Sequence, residues 1–167
     1  IAAFALSLTF ALAYGYSAAT NAKAAKVLLP VLDVLQSVPI LGFFPVAVLF
    51  FISLFNGSVI GLEAASIFLI FTSQAWNMAF AVYESIVTLP AETGDAAAVL
   101  GVSGWLRVKR VLLPCTVPKL VYNSIFSWAG GWYFVTASEV ISAKDKDIVL
   151  PGLGSFIYQR SEAGDIT

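Results

Sequence analysis

Few residues in this 167-residue sequence are suited to catalysis. There is no histidine and only one cysteine, Cys115, which excludes imidazole acid–base chemistry, histidine metal sites and a disulfide within the chain. The carboxylates Asp33, Glu63 and Glu139 lie in or beside apolar runs, but they form no convincing acid–base pair and no Ser/Lys arrangement accompanies them. No glycine-rich loop with a lysine is present to hold a phosphate. We therefore expect no enzyme, metal or cofactor; an intramembrane enzyme using these carboxylates is the least favoured alternative.

Polar side chains recur at helical spacing inside two of the apolar runs. Ser66, Ser73 and Asn77 are seven and four residues apart, which places them on one helical face. Such a face could line a path for a polar solute. Helix packing through hydrogen bonds is the alternative, and it is slightly favoured for these three residues. The candidates for a translocation path are Ser73, Gln74, Asn77, Trp132, Thr136 and Glu139.

The composition indicates an integral membrane protein. The chain is 59% hydrophobic and 11% charged, with a mean hydropathy of +0.89, whereas soluble domains average roughly 25% charged residues. The formal net charge of −1 gives no indication of a nucleic-acid partner. A polytopic helical bundle is the class that these values favour.

Four apolar runs approach the length of about 20 residues that a helix needs to cross a bilayer. The second run contains Pro30, Pro39 and Pro45, so we expect a broken helix there, with an amphipathic lead-in at 27–37. The chain starts within an apolar run and stops after a polar stretch, so we expect a fragment of a longer protein. The predicted spans are Ile1–Tyr16, 39–55, Val59–Tyr83 and Lys119–Ser142.

Basic residues concentrate at two places in the sequence. One is the loop after the first span and the other lies between the third and fourth spans, and both fall on the same side if the spans alternate. Because cytoplasmic segments collect Lys and Arg, we expect that side to be the cytoplasm. Residues 84–118 are then a cytoplasmic loop and residues 143–167 an outer loop. The basic residues concerned are Lys23, Lys26, Arg107, Lys109, Arg110 and Lys119.

Residues 94–114, GDAAAVLGVSGWLRVKRVLLP, interrupt the apolar pattern with a compact, soluble-looking block. The alanines continue a helix that Gly101 can end in the left-handed conformation. Ser103 can cap a second short helix, 104–112, which the prolines at 114 and 118 then stop. The block is predicted to be a helix–turn–helix elbow outside the bilayer. A generic basic loop that obeys the orientation rule is the alternative, and on physical grounds alone neither is favoured.

The spacing within this block resembles the cytoplasmic coupling motif of binding-protein-dependent ABC transporter permeases. That motif is Glu-Ala-Ala, three residues, Gly, nine residues, then Ile-x-Leu-Pro. Asp95-Ala96-Ala97 stands six residues before Gly101, and Val111-Leu112-Leu113-Pro114 begins ten residues after it. Asp95 replaces the Glu of the family, and Val111 replaces the Ile.

Other segments are similar to the nitrate/sulfonate/taurine/bicarbonate branch of that family. They are LPVLDVLQSVP, WAGGWYFVTASEVI and LPGLGSFI, and the phrases SQAWNMAFAVYES and YNSIFSWAGGWYF look more like the long permeases with two units in one polypeptide. The resemblance covers about Pro30 to Ile157. It implies an all-α bundle with the permease fold of type I ABC importers, with residues 1–167 as a single transmembrane domain.

The resemblance implies a permease subunit that moves a small solute, such as nitrate, a sulfonate, taurine or bicarbonate, across a bacterial or archaeal inner membrane. ATP would be bound and hydrolysed by a cytoplasmic ATPase dimer. A second permease unit, an external substrate-binding protein and the lipid bilayer would be the other partners. A passive channel or a structural membrane subunit is the alternative. The residues expected to couple to the ATPase are Asp95, Ala96, Ala97, Gly101, Trp105, Arg107, Arg110 and Pro114.

Overall fold

The computed structural model of the protein describes residues 1–143, 146–149 and 153–164, and within these it describes no side chain at 134–143, 146–149, 153–155 or 158. The described chain is helical except for one short antiparallel hairpin, in which β1 pairs with β2. The predicted all-α class is confirmed, and the hairpin was not predicted. The elements are α1 (Ala2–Thr20), α2 (Ala22–Ser37), α3 (Ile40–Leu54), α4 (Val59–Val87), α5 (Ala91–Val99), α6 (Gly104–Arg107), a π-helical segment (Val108–Leu112), α7 (Leu113–Glu139), β1 (Val140–Ala143), β2 (Lys146–Val149) and α8 (Leu153–Glu162).

The chain divides into two compact units, the first of which contains residues 1–7, 37–74 and 127–167. In this unit α3 and the first half of α4 form a helical hairpin. Its turn has positive φ at Asn56 and Gly57 (52° and 75°), a conformation that Gly and Asn adopt more readily than other residues. Phe68 of α4 contacts the rings of Phe43 and Phe51, with centroids 6.4 and 5.4 Å away. The buried core of the hairpin consists of Ala47, Val48, Leu62, Ala65 and Leu69.

The second unit contains residues 8–36 and 75–126, and in it α1 packs parallel to α4. The Phe10 ring contacts Trp76 at 5.7 Å, and further along both helices Gly15 lies against Ala79 and Val82. Later residues of α1 therefore contact later residues of α4, which means that the two helices run in the same direction.

Pro39 accounts for the break between α2 and α3. It occupies the position before α3 with φ −63° and ψ 121°, and proline disfavours a helical conformation of the residue that precedes it. Pro30 and Pro45, in contrast, lie inside α2 and α3. Of the three prolines in this run, one therefore ends a helix and two are accommodated.

Length and composition distinguish the four predicted spans. Among the described residues, α1 and α4 are each long and apolar enough to cross a membrane, and α2 with α3 qualifies only as a broken pair. The fourth predicted span is a helix, α7, whose 27 residues extend about 40 Å at ~1.5 Å per residue. It does not reach the same apolarity, because Asn, Ser, Gly and Trp interrupt its aliphatic residues. Such a composition suits a helix that contacts other helices as well as lipid.

The close approach of α1 to α4 depends on Gly15. A Cβ atom added there would lie 2.7 Å from the Ala79 carbonyl oxygen and 2.7 Å from Val82 Cβ. Gly15→Ala should therefore destabilise the protein by about 1–3 kcal/mol, measured as a lower midpoint of thermal unfolding in detergent. Gly42→Ala is the matched control, because a Cβ there meets nothing within 4 Å and alanine favours a helix. Equal midpoints for the two variants would contradict the close approach.

Candidate coupling elbow and the helices that carry it

The elbow, defined as residues 91–112, begins with α5. Pro90 precedes the helix in an extended conformation (φ −56°, ψ 138°) and Glu92 lies in its first turn. Proline has no N–H to leave unpaired at this position, and an acidic residue is stabilised by the positive end of the helix dipole. No side chain caps the N-terminus of α5. The helix therefore begins directly after Pro90.

A Schellman motif ends α5 and makes the bend. Gly101 has φ +67°, its N–H donates to the Ala98 carbonyl at 3.0 Å, and the Val102 N–H donates to the Ala97 carbonyl at 2.8 Å. These two bonds satisfy carbonyl groups that the end of a helix leaves open. The predicted role of Gly101 as the bend is confirmed.

The second arm of the elbow differs from the prediction in two ways. Ser103 is extended and occupies the N-cap position of α6, but its side chain makes no capping hydrogen bond. Gly104, which sequence reasoning did not single out, has φ +52°, and only glycine adopts this region without strain. The turn between the two arms therefore depends on two left-handed glycines.

The expectation that Pro114 and Pro118 stop the second helix is wrong. The chain runs without a break from α6 through the π-helical segment into α7, and Pro118 lies inside α7. The Leu113 N–H donates to the Val108 carbonyl, five residues back. Proline lacks an N–H and its ring crowds the carbonyl four residues before it; the wider π turn just ahead of Pro114 provides space for that ring.

Most of the predicted coupling residues come together on the elbow surface. Asp95, Ala96, Arg107 and Arg110 are exposed, and the Trp105 side chain is 73% exposed. Ala97 differs: it is only 5% exposed, so the three alanines do not form a single outward face. Sequence reasoning missed three further exposed apolar side chains, because aliphatic residues in a membrane protein are unremarkable one at a time. They are Val99, Leu100 and Leu106.

Polar contacts join α4 to α7 in the second unit. Lys119 Nζ lies 3.1 Å from a Glu84 carboxylate oxygen, and Asn77 Nδ2 donates to the Asn123 carbonyl at 3.3 Å. The Cys115 sulfur lies 3.7 Å from the Ser85 carbonyl oxygen, while its thiol donates at 2.9 Å within its own segment. The ion pair is solvent-accessible, so by itself it contributes little to stability. The contacts together link the helix that enters the elbow with the helix that leaves it.

Among the path candidates, Gln74 is in the first unit and is 3% exposed. Its Nε2 donates to the Ser127 carbonyl of α7 at 3.4 Å, and a Cβ on Gly131 would lie 2.6 Å from that nitrogen. Its Oε1 is buried without a hydrogen-bond partner among the described residues. The neighbouring Ser73 hydroxyl donates to the Ile70 carbonyl of its own helix.

The remaining path candidates lie on α7 and in the second unit. Trp132 is 47% exposed, whereas the side chains of Thr136 and Glu139 lie outside the described residues. Asn77 is exposed and belongs to the second unit, so the structure does not place it relative to Gln74 or Trp132. No cluster of three or more potential metal ligands occurs in the described part of the chain.

The elbow conformation should be sensitive to its two left-handed glycines. Gly101→Ala and Gly104→Ala each force a side chain into a conformation that costs about 1–2 kcal/mol. We expect faster tryptic cleavage after Arg107, Lys109 and Arg110 in both variants, measured by limited proteolysis of the purified protein. Gly94→Ala is the control, since Gly94 lies within α5 and a Cβ there meets only the Arg107 guanidinium at 3.5 Å. Unchanged cleavage in both elbow variants would show that the bend does not need these glycines.

Comparison with known proteins supports the resemblance seen in the motif. The chain is 27% identical over 135 residues to the nitrate import permease protein NrtB of Synechococcus elongatus, which is 81% of this chain and 43% of that protein. It is 23% identical to a probable ABC transporter permease protein of Brucella melitensis over 86% of this chain and 55% of that protein. With the bicarbonate transport system permease protein CmpB of Synechococcus elongatus it shares 25% identity over 62% of this chain and 37% of that protein.

The matched region is thus about half or less of the length of each of these relatives. A family assignment covers nearly all of the present chain. Residues 8–167 match the family described as binding-protein-dependent transport system inner membrane component. Together with the elbow geometry and the apolar helices, this match shows that the chain belongs to the family of binding-protein-dependent transport system inner membrane components.

Proposed function

We propose that this chain is part of the permease subunit of an ABC importer, which moves a small anion across the cytoplasmic membrane with energy from a partner ATPase. The observation that carries the proposal is the elbow. It stands between two long helices, carries the spacing of the coupling motif, and presents apolar side chains to solvent. The membership of the chain in a transport family supports the same conclusion.

The elbow surface has the composition of a protein-binding site. Leu100 and Trp105 are 78% and 73% exposed, and Val99 and Leu106 add to the apolar area on the same short segment. Exposed apolar patches mark interaction sites, and Trp and Arg are the residues that most often dominate the binding energy of interfaces. Asp95, Ala96, Arg107 and Arg110 supply small or charged groups around it. We assign this surface to the ATPase, with Ala97 and Pro114 acting through the shape of the elbow.

Movement of the ATPase would reach the membrane through both arms of the elbow. The second arm is continuous with α7. The first arm follows α4 after only three residues, 88–90, and the Glu84–Lys119 ion pair and the thiol of Cys115 join α4 to α7. A displacement of the elbow is therefore expected to move both helices together.

The proposed solute is a small anion of the kind named in the relatives, nitrate or bicarbonate, with a sulfonate or taurine as further members of the class. No Lys or Arg lies deep within an apolar stretch of the sequence, so a tight anion site in this chain is not expected. Selectivity would then belong to an external binding protein, and the permease would supply a low-affinity path. A second permease unit, in the same polypeptide or as a homodimer, and an ATPase dimer complete the proposed assembly, with residues 84–118 in the cytoplasm and 143–167 outside.

We assign the path to the α4 positions Ser73, Gln74 and Asn77 and the α7 positions Trp132, Thr136 and Glu139. The support is the unpaired Oε1 of Gln74. A buried carbonyl without a donor costs about 1–3 kcal/mol, and water or the O–H of a solute such as bicarbonate could provide that donor. Ser127 and Gly131 of α7 are small enough to admit the Gln74 side chain between the helices.

Trp105→Ala tests the ATPase contact. Removing the most exposed aromatic residue of the elbow should lower the amount of co-purified ATPase about tenfold or more, and ATP-dependent uptake into proteoliposomes should fall with it. Lys109→Ala is the control, because Lys109 is exposed on the same segment but carries no apolar contact surface. Full ATPase binding and uptake by the Trp105 variant would reject the elbow as the docking site, and uptake without ATP would favour a passive channel.

Gln74→Leu tests the path. Leucine has a similar volume and removes both the unpaired carbonyl and the hydrogen bond to Ser127, so the thermal midpoint should change little. If Gln74 contacts the solute, the uptake rate should fall at least about fivefold while ATPase binding stays normal. Thr72→Val is the matched control, because Thr72 is buried on the same helix, is not among the path positions, and its hydroxyl bonds within its own helix turn, to the Leu69 carbonyl. Normal uptake with a lowered midpoint would instead assign Gln74 to helix packing.

A further inference from the structure

A cavity of about 480 Å³ lies in the second unit between the elbow and the ends of α1 and α4. Tyr16 and Ala19 of α1 line one side, Ile86 of α4 another, and the elbow contributes Ala91 and Arg107. The volume falls within the range of small-ligand sites, about 300–1,000 Å³. None of the functions assigned to the elbow explains a cavity at this place.

The charge in the cavity is positive. Arg107 is the only charged residue in its lining, and no ion pair of Arg107 occurs among the described residues. Pro90 and Ala91 also line it, at the uncapped N-terminus of α5, where the helix dipole favours an anion. Glu92 lies in that first turn but does not line the cavity. An arginine beside a helix N-terminus matches the chemistry of a phosphate group.

Apart from Tyr16 and Thr20, the remaining side chains of the lining are apolar, and this composition distinguishes among anions. Ile86 lies at the end of α4, Leu89 in the connection that follows it, and Leu112 in the elbow. A free inorganic anion gains nothing from such side chains, whereas the glycerol and upper acyl carbons of a lipid do. Basic pockets between helices on the cytoplasmic side of a membrane bind the headgroups of anionic lipids.

We infer that this cavity binds the phosphate group of an anionic phospholipid, with Arg107 as its charge partner and the apolar lining around the glycerol region. The inference goes beyond the proposed function, because it concerns a ligand that is not transported. It also gives the two arginines different roles, because Arg107 lines the cavity and Arg110 does not. A lipid held here contacts both α1 and the elbow.

The test measures lipid retention and requires no transport. The purified chain is exchanged into mixed micelles containing equal amounts of phosphatidylglycerol and phosphatidylcholine, and bound lipid is counted by native mass spectrometry. Wild-type protein should retain phosphatidylglycerol preferentially, and Arg107→Gln should retain about fivefold less. Arg110→Gln is matched in charge and should retain the wild-type amount. Ala19→Phe fills the cavity without changing charge and should also reduce retention, while thermal midpoints report that each variant is folded.

Three results would overturn the inference. Equal losses of bound phosphatidylglycerol in the Arg107 and Arg110 variants would show that retention depends on general surface charge and not on the cavity. Full retention in Ala19→Phe would place the lipid elsewhere. Displacement of phosphatidylglycerol by inorganic phosphate, at matched ionic strength, would assign the cavity to a soluble phosphate in place of a lipid.

Discussion

Close packing against α4 is the constraint on which the other elements depend. In the second unit α1 approaches it through Gly15, at a distance that leaves no room for a side-chain atom, and in the first unit Gly61 of α4 itself lies against the backbone of α3 at Phe51. Inside a bilayer there is no hydrophobic force between helices, so association comes from van der Waals contact and hydrogen bonds. Glycine makes that contact close. The position of α4 in turn sets where the elbow begins and which side chains of α7 can reach α4.

The turn chemistry of the elbow was only partly predictable from its sequence. Gly101 follows a run of helix formers, and a glycine in that place is a strong signal for a left-handed helix end. Gly104 follows Ser103, and the serine resembles a helix cap, so the sequence offered no reason to expect a second left-handed residue. Pro114 was predicted to end a helix because the ordinary α-helical pattern cannot tolerate it. A π turn removes that conflict, and no local residue pattern announces one.

The polar residues of α4 show a different limit of prediction from the sequence. Their spacing on α4 predicted a shared face, but spacing alone does not indicate what lies opposite. The structure shows that Gln74 faces the Ser127 and Gly131 positions of α7, with its amide nitrogen bonded and its carbonyl oxygen unpaired within the part of the chain that the structure describes. Ala97 is a similar case, since three consecutive alanines cannot all point to one side of a helix. The exposure of Val99 and Leu100 could be recognised only once the helix end at Gly101 was known.

The π-helical segment also determines the angle, measured around the helix axis, between the side chains of α6 and those of α7. Each residue of an α-helix advances the chain by about 100° around the axis, and a π turn holds one residue more than an α turn. The faces of α6 and α7 are therefore offset by a fixed rotation, although they belong to one continuous rod. The side chains of α6 and those of α7 can then face different neighbours, and neither helix needs a different sequence for this. Loss of one residue from 108–112 would turn Trp105 about a quarter of the way around that rod while leaving every contact of α7 in place.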